Sequence, residues 1–125
     1  MTARWRIARD WALAVGFAAL LFYLSSQSRL PSAGIRGFDK LAHFAAFGVL
    51  AWLVARALSR SGVGRTKAAL LAALISTLYG GSDELHQRHT PGRSSDWADL
   101  AADGLGASAA SALWAQTRRR RPDRS

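Results

Sequence analysis

Three clusters of ionisable residues sit at the edges of apolar runs in this chain. Asp39, Lys40 and His43 open one run, Asp83, Glu84, His86 and Gln87 close another, and Arg93, Asp96, Asp99 and Asp103 lead into a third. A histidine beside a carboxylate is a competent acid/base pair. A guanidinium can grip a phosphate or carboxylate through two parallel hydrogen bonds, and lysine or arginine can stabilise negative charge that develops during a reaction. These properties make His43, Glu84, His86 and Asp99 the candidate catalytic residues. Lys40, Asp83, Gln87, Arg93 and Asp103 are the candidate binding residues. The chain has no cysteine, which excludes thiol nucleophiles, disulfides and thiolate metal ligands. There is no G-x-S-x-G, so a covalent serine route has no support. His43, His86 and an acid could hold a divalent metal, but the histidine spacing matches no metal motif, so no metal ligand is assigned and no cofactor is named.

Each cluster also has a plainer reading. Asp39 precedes an apolar run, where a carboxylate caps free backbone N–H groups. Lys40 at a helix end can reach water along its own stem. Asp83 and Glu84 could be a solvated loop cluster. His43 is harder to dismiss. It lies a turn inside the apolar run on the same helical face as Lys40 and Phe47. An unpaired imidazole there would be costly, so an acidic partner from another helix is expected. Asp103 sits within its own apolar run among Gly104, Gly106, Ala107 and Ser108. It must face the inside of a bundle, either neutral or meeting Arg93, Lys40 or a histidine.

The elements that must position these residues are four apolar segments, at about 7–26, 41–58, 67–87 and 96–115, within a single domain of 125 residues. A helix needs about 20 residues to cross a bilayer core. All four segments reach that length when their ends are counted, the second and third only marginally. Half of the residues are hydrophobic and the formal charge is +9. These two facts conflict for a soluble domain and agree for a small membrane protein with basic ends. Helices of a soluble bundle should each carry a polar stripe, and WALAVGFAALLFYL and AALLAALISTLYGG have none. The expected fold is therefore an all-α integral membrane protein, a small bundle of four transmembrane helices.

Basic residues give the orientation. The N-terminal flank, the second connection and the tail TRRRRPDRS hold twelve lysines and arginines, against five on the other side. The positive-inside rule then places both termini in the cytoplasm and the three ionisable clusters on the outer side of the membrane. The first run could be a signal peptide, but its core is long for one and no clear A-x-A site follows, so it is read as a retained helix. Pro31 and Gly34 break the polar segment after it. The Pro-Gly turn at 91–92 precedes Ser95 and Asp96, either of which suits an N-cap for the fourth helix. The arginines cluster beside apolar runs and no groove-reading motif is present, so no nucleic-acid partner is expected.

FDKLAHFAAFGVL, SDELHQRHTPGR and DWADLAADGLGA, taken in that order, resemble the VanZ-like family over about residues 38–114. The resemblance implies a small multi-pass protein of the cell inner (cytoplasmic) membrane. The family's founding member is associated with low-level resistance to the glycopeptide teicoplanin. Asp39, Lys40, His43, Asp83, Glu84, His86, Gln87, Pro91, Gly92, Arg93 and Asp99 match family positions. Asp103 stands where asparagine is frequent, and His89 where an aromatic or apolar residue is usual. The function expected is that of an envelope membrane protein with a polar, anion-binding pocket on its outer side, linked to glycopeptide resistance or envelope lipid handling. Its partners would be membrane lipids or a lipid-linked cell-wall precursor. The alternative is an intramembrane hydrolase or transferase using histidine–carboxylate chemistry on such a substrate. Ion movement through the bundle is a third reading, but these polar residues stop at one side, so no continuous path is visible.

Overall fold

The computed structural model describes residues 2–25, 38–87 and 97–120. These form four α-helices: α1 (Ala3–Ser25), α2 (Phe38–Arg60), α3 (Arg65–Gln87) and α4 (Trp97–Arg120). Runs of alanine and leucine favour helix throughout. All three prolines, Pro31, Pro91 and Pro122, lie outside the described residues, so none interrupts the backbone ladder of the four helices. With about 1.5 Å of rise per residue, helices of this size are about 35 Å long.

The helix ends differ from the sequence expectation at several points. α1 starts at Ala3 and α4 continues to Arg120, beyond the expected 7 and 115. Arginine is a good helix former, and cations near a helix C-terminus complement its dipole. α2 begins at Phe38, so Asp39 lies within the first turn and not ahead of it. Gly80 and Gly81 leave α3 unbroken as far as Gln87. Ser95 and Asp96, the expected caps of α4, lie outside the described residues.

The α2–α3 connection is a tight turn. The N–H of Val63 donates to the carbonyl of Leu58 and that of Gly62 to Ser59, each at 3.1 Å. This is the Schellman pattern, which requires a left-handed residue after the helix. Gly62 supplies it with φ of 100°, a conformation that costs glycine nothing.

α4 packs along both α2 and α3, α2 also contacts α3, and α1 lies chiefly against α2. Small residues allow the α2–α4 approach. A Cβ on Gly106 would strike the carbonyl oxygen of Phe44 and come within 2.8 Å of its carbon. One on Gly48 would lie 3.3 Å from the Gly106 carbonyl oxygen. The core between the helices holds Phe47, Leu50, Val54, Ala55, Ala68, Ala72 and Trp114. Tyr79 of α3 donates its hydroxyl to the Ala18 carbonyl of α1.

Polarity is distributed unlike that of a water-soluble bundle. Large apolar side chains point outward on every helix, including Val15 at 62%, Leu41 at 65%, Leu70 at 68% and Leu105 at 65% exposure. Asp10, Asp83, Glu84, Asp99 and Asp103 are instead buried. Two stretches, Ala3–Leu24 and Lys40–Arg60, are long and apolar enough to cross a membrane.

Candidate functional site

Lys40, His43 and Phe47 recur along one face of α2, turned toward α4. Asp99 and Asp103 are one turn apart on α4 and meet that face. The Lys40 ammonium lies 2.9 Å from Oδ1 of Asp99. Nδ1 of His43 lies 2.7 Å from Oδ1 of Asp103, so the expected acidic partner of His43 comes from the fourth helix. With the proton on Nδ1, the imidazole donates to Asp103 and turns the Nε2 lone pair the other way. Nε2 then faces Oδ2 of Asp99 at 3.9 Å, too far for a hydrogen bond. The ring of Phe47 lies nearly parallel to His43, with centroids 6.2 Å apart, and closes the site on its inner side.

Asp103 fits so deep in the bundle because α3 makes room for it. A Cβ on Gly80 would lie 2.7 Å from Oδ2 of Asp103. Any larger residue there would collide with the carboxylate that holds His43. α3 also brings Asp83 and Glu84 to this end, both 6% exposed. One donor atom each from His43, Glu84 and Asp99 lie within 4.8 Å of one another. Three helices thus converge one nitrogen and two carboxylate oxygens. The arrangement can move a proton at Nε2, accept hydrogen bonds from a ligand, or hold a cation.

Of the residues singled out from the sequence, Lys40, His43, Glu84, Asp99 and Asp103 are brought together. Asp83 is buried beside Glu84 on α3. His86 stacks its ring on Phe22 of α1, with centroids 4.5 Å apart, and is not one of the three convergent donors. Gln87 ends α3, and its side chain lies outside the described residues, as does that of Asp39. Arg93, Pro91, Gly92 and Asp96 also lie outside them.

A second polar cluster was missed. Asp10 of α1 is 1% exposed. Its carboxylate accepts from Nε of Arg60 at 2.8 Å and from Arg9 at 3.3 Å, and lies 3.5 Å from Nε of Arg56. Nearby, Trp11 Nε1 donates to the Ser61 hydroxyl at 2.8 Å. In the sequence these arginines read only as orientation charges. The available signal was one acid, Asp10, inside the otherwise basic flank ARWRIARDWAL.

A family model for VanZ/LLP1 matches residues 2–118. Nothing among curated proteins and nothing among solved structures matches the chain. The match takes in α1, α2, α3 and α4 as far as Arg118, and with them the convergent His43, Glu84 and Asp99. It agrees with the two apolar helices in pointing to a membrane protein: the chain belongs to the VanZ/LLP1 family.

Proposed function

We propose that this VanZ-family chain is a four-span envelope membrane protein that receives the polar head group of a lipid or lipid-linked precursor, with His43 as the proton-transferring group. The observation that carries this reading is the array Asp103–His43–Asp99, a half-buried histidine between two buried carboxylates, with Glu84 alongside. A carboxylate on Nδ1 fixes the ring and its tautomer, which leaves Nε2 to act as the base. Polar groups inside and apolar side chains outside are what a bundle in lipid requires. In this topology the centre lies at the outer boundary of the membrane, where a head group can enter while its tails stay between helices.

The anion-binding reading keeps one supporting observation. The Lys40–Asp99 pair places an ammonium beside the His43 centre, and Lys40 is 38% exposed. Arg93 would add the planar fork that lysine cannot supply.

Teicoplanin susceptibility and lipid co-purification, measured on His43→Gln and Arg93→Lys at matched membrane levels, separate the two readings. The proton-transfer reading expects His43→Gln to abolish the resistance phenotype while lipid still co-purifies. Loss of both with Arg93→Lys, and of neither with His43→Gln, would reject proton transfer in favour of anion binding. A wild-type chain that changes neither susceptibility nor lipid content would defeat both.

A further inference from the structure

We propose that His43, Glu84 and Asp99 form a site for one divalent transition-metal ion, with Zn²⁺ as the fitting probe. Each residue offers one donor atom, the three lying within 4.8 Å of one another, and for two of the residues the other atom is held elsewhere. Nδ1 of His43 is taken by Asp103 at 2.7 Å, leaving Nε2. Oδ1 of Asp99 is taken by Lys40 at 2.9 Å, leaving Oδ2. Carboxylate–histidine–metal arrays are built this way, the outer carboxylate orienting the ring and raising its basicity.

The gap between His43 and Asp99 is an independent sign. Nε2 of His43 and Oδ2 of Asp99 face each other at 3.9 Å, too far apart for a direct hydrogen bond. A cation about 2.0–2.2 Å from each would bridge that gap. Glu84 and Asp99 are both buried at this end of the bundle, and carboxylate oxygens are common zinc ligands. One imidazole and two carboxylates suit zinc better than magnesium or calcium, which prefer all-oxygen sites. Three protein donors leave a fourth position open.

The inference rests on the reading above for what occupies the fourth position, a head-group oxygen, and amends it in one respect. An Nε2 that ligates the metal no longer takes up the proton itself, so His43 would hold the ion and the proton would move at the oxygen in the fourth position.

The full chain would be purified in detergent, stripped with chelator, dialysed against Zn²⁺ and assayed for metal by elemental analysis. Wild type should hold one Zn²⁺ per chain, and His43→Gln, Glu84→Gln and Asp99→Asn close to none. Asp103→Asn should keep the stoichiometry but weaken affinity about 10–100-fold. His86→Gln should bind as wild type. If the ligand variants fail to fold, Co²⁺ added to wild type decides the matter. Visible d–d bands that vanish on adding excess Zn²⁺ support the site, and a featureless spectrum overturns it. Zinc content in wild type below one-tenth per chain, or equal binding by folded Glu84→Gln and Asp99→Asn variants, would also overturn it. A chain that binds zinc at this site yet leaves teicoplanin susceptibility and lipid content unchanged would keep the metal and reject the proposed function.

Discussion

At the level of single residues, the two buried polar groups that matter most are held in opposite ways. Asp103 meets a histidine in a space that Gly80 leaves open. Asp10 lies among the guanidinium groups of Arg9, Arg56 and Arg60. Breaking a buried ion pair by removing one partner costs about 3–5 kcal/mol, because the remaining charges lose their compensation. Here the three guanidinium groups are 30–41% exposed and regain water when Asp10 is neutralised. Asp10→Asn should therefore lower stability by about 1.5–3 kcal/mol, the worth of its charge-assisted hydrogen bonds. Arg60→Gln should cost less, since two arginines remain. Thermal unfolding in detergent checks the order, and Arg60→Gln proving the more harmful of the two would contradict it. The need of His43 for an acid was legible in the sequence because an imidazole cannot stay unpaired inside an apolar run. The identity of that acid was not, since Asp83, Glu84, Asp99 and Asp103 all lay within plausible reach. Asp10 was invisible for a different reason: a lone acid among arginines reads as surface charge until another helix covers it.

At the level of elements, the site depends on how closely α2 and α4 approach. Phe44, Gly48 and Gly106 set that distance, and His43 meets Asp103 one turn from the crossing. The chain has no cysteine, so an introduced pair reports this contact without background. A Cβ on Gly48 would lie 3.5 Å from that of Ala110, inside the range that a disulfide bridges. The double variant Gly48→Cys with Ala110→Cys should cross-link within one chain on mild oxidation, seen as a reducible mobility shift. A folded double variant whose thiols stay fully reactive would mean that the helices sit in another register. Helix number was readable from four apolar segments, and the persistence of α3 to Gln87 from the stripe through Gly80, Asp83 and Glu84. Helix ends were less so, because the arginines at both termini serve equally as a solvated flank and as helix. The α2–α4 crossing could not be read at all. Glycine and alanine permit close approach at many positions, and the partner helix decides which is used.

At the level of the whole molecule, the proposed topology has two polar ends and an apolar middle. Reporter fusions at Ser61 and Thr90 should read cytoplasmic and exported respectively, following the excess of lysine and arginine on the N-terminal side. Both reporting the same side would rule out the four-span arrangement. The mixed character of the chain, half hydrophobic yet formally +9, is resolved by this division of labour. Leucines and valines face outward and would meet lipid, while nearly all the buried acids gather at one end.

The Asp10 cluster and the His43 centre lie at opposite ends of α2. His43 and Arg60, on the same helix, are separated by about 25 Å along its axis. One end combines three arginines with a single acid, and the other gathers four acids around Lys40 and His43. In the proposed orientation this makes the bundle an electrical element aligned with the membrane potential. Each elementary charge carried across is worth about 2.3 kcal/mol per 100 mV. An inside-negative voltage would therefore hold the basic end inward and the acidic end outward. The Ser61 and Thr90 reporters should accordingly become less sharply divided when an uncoupler collapses the voltage during insertion, and an unchanged division would show that the basic flanks alone set the orientation.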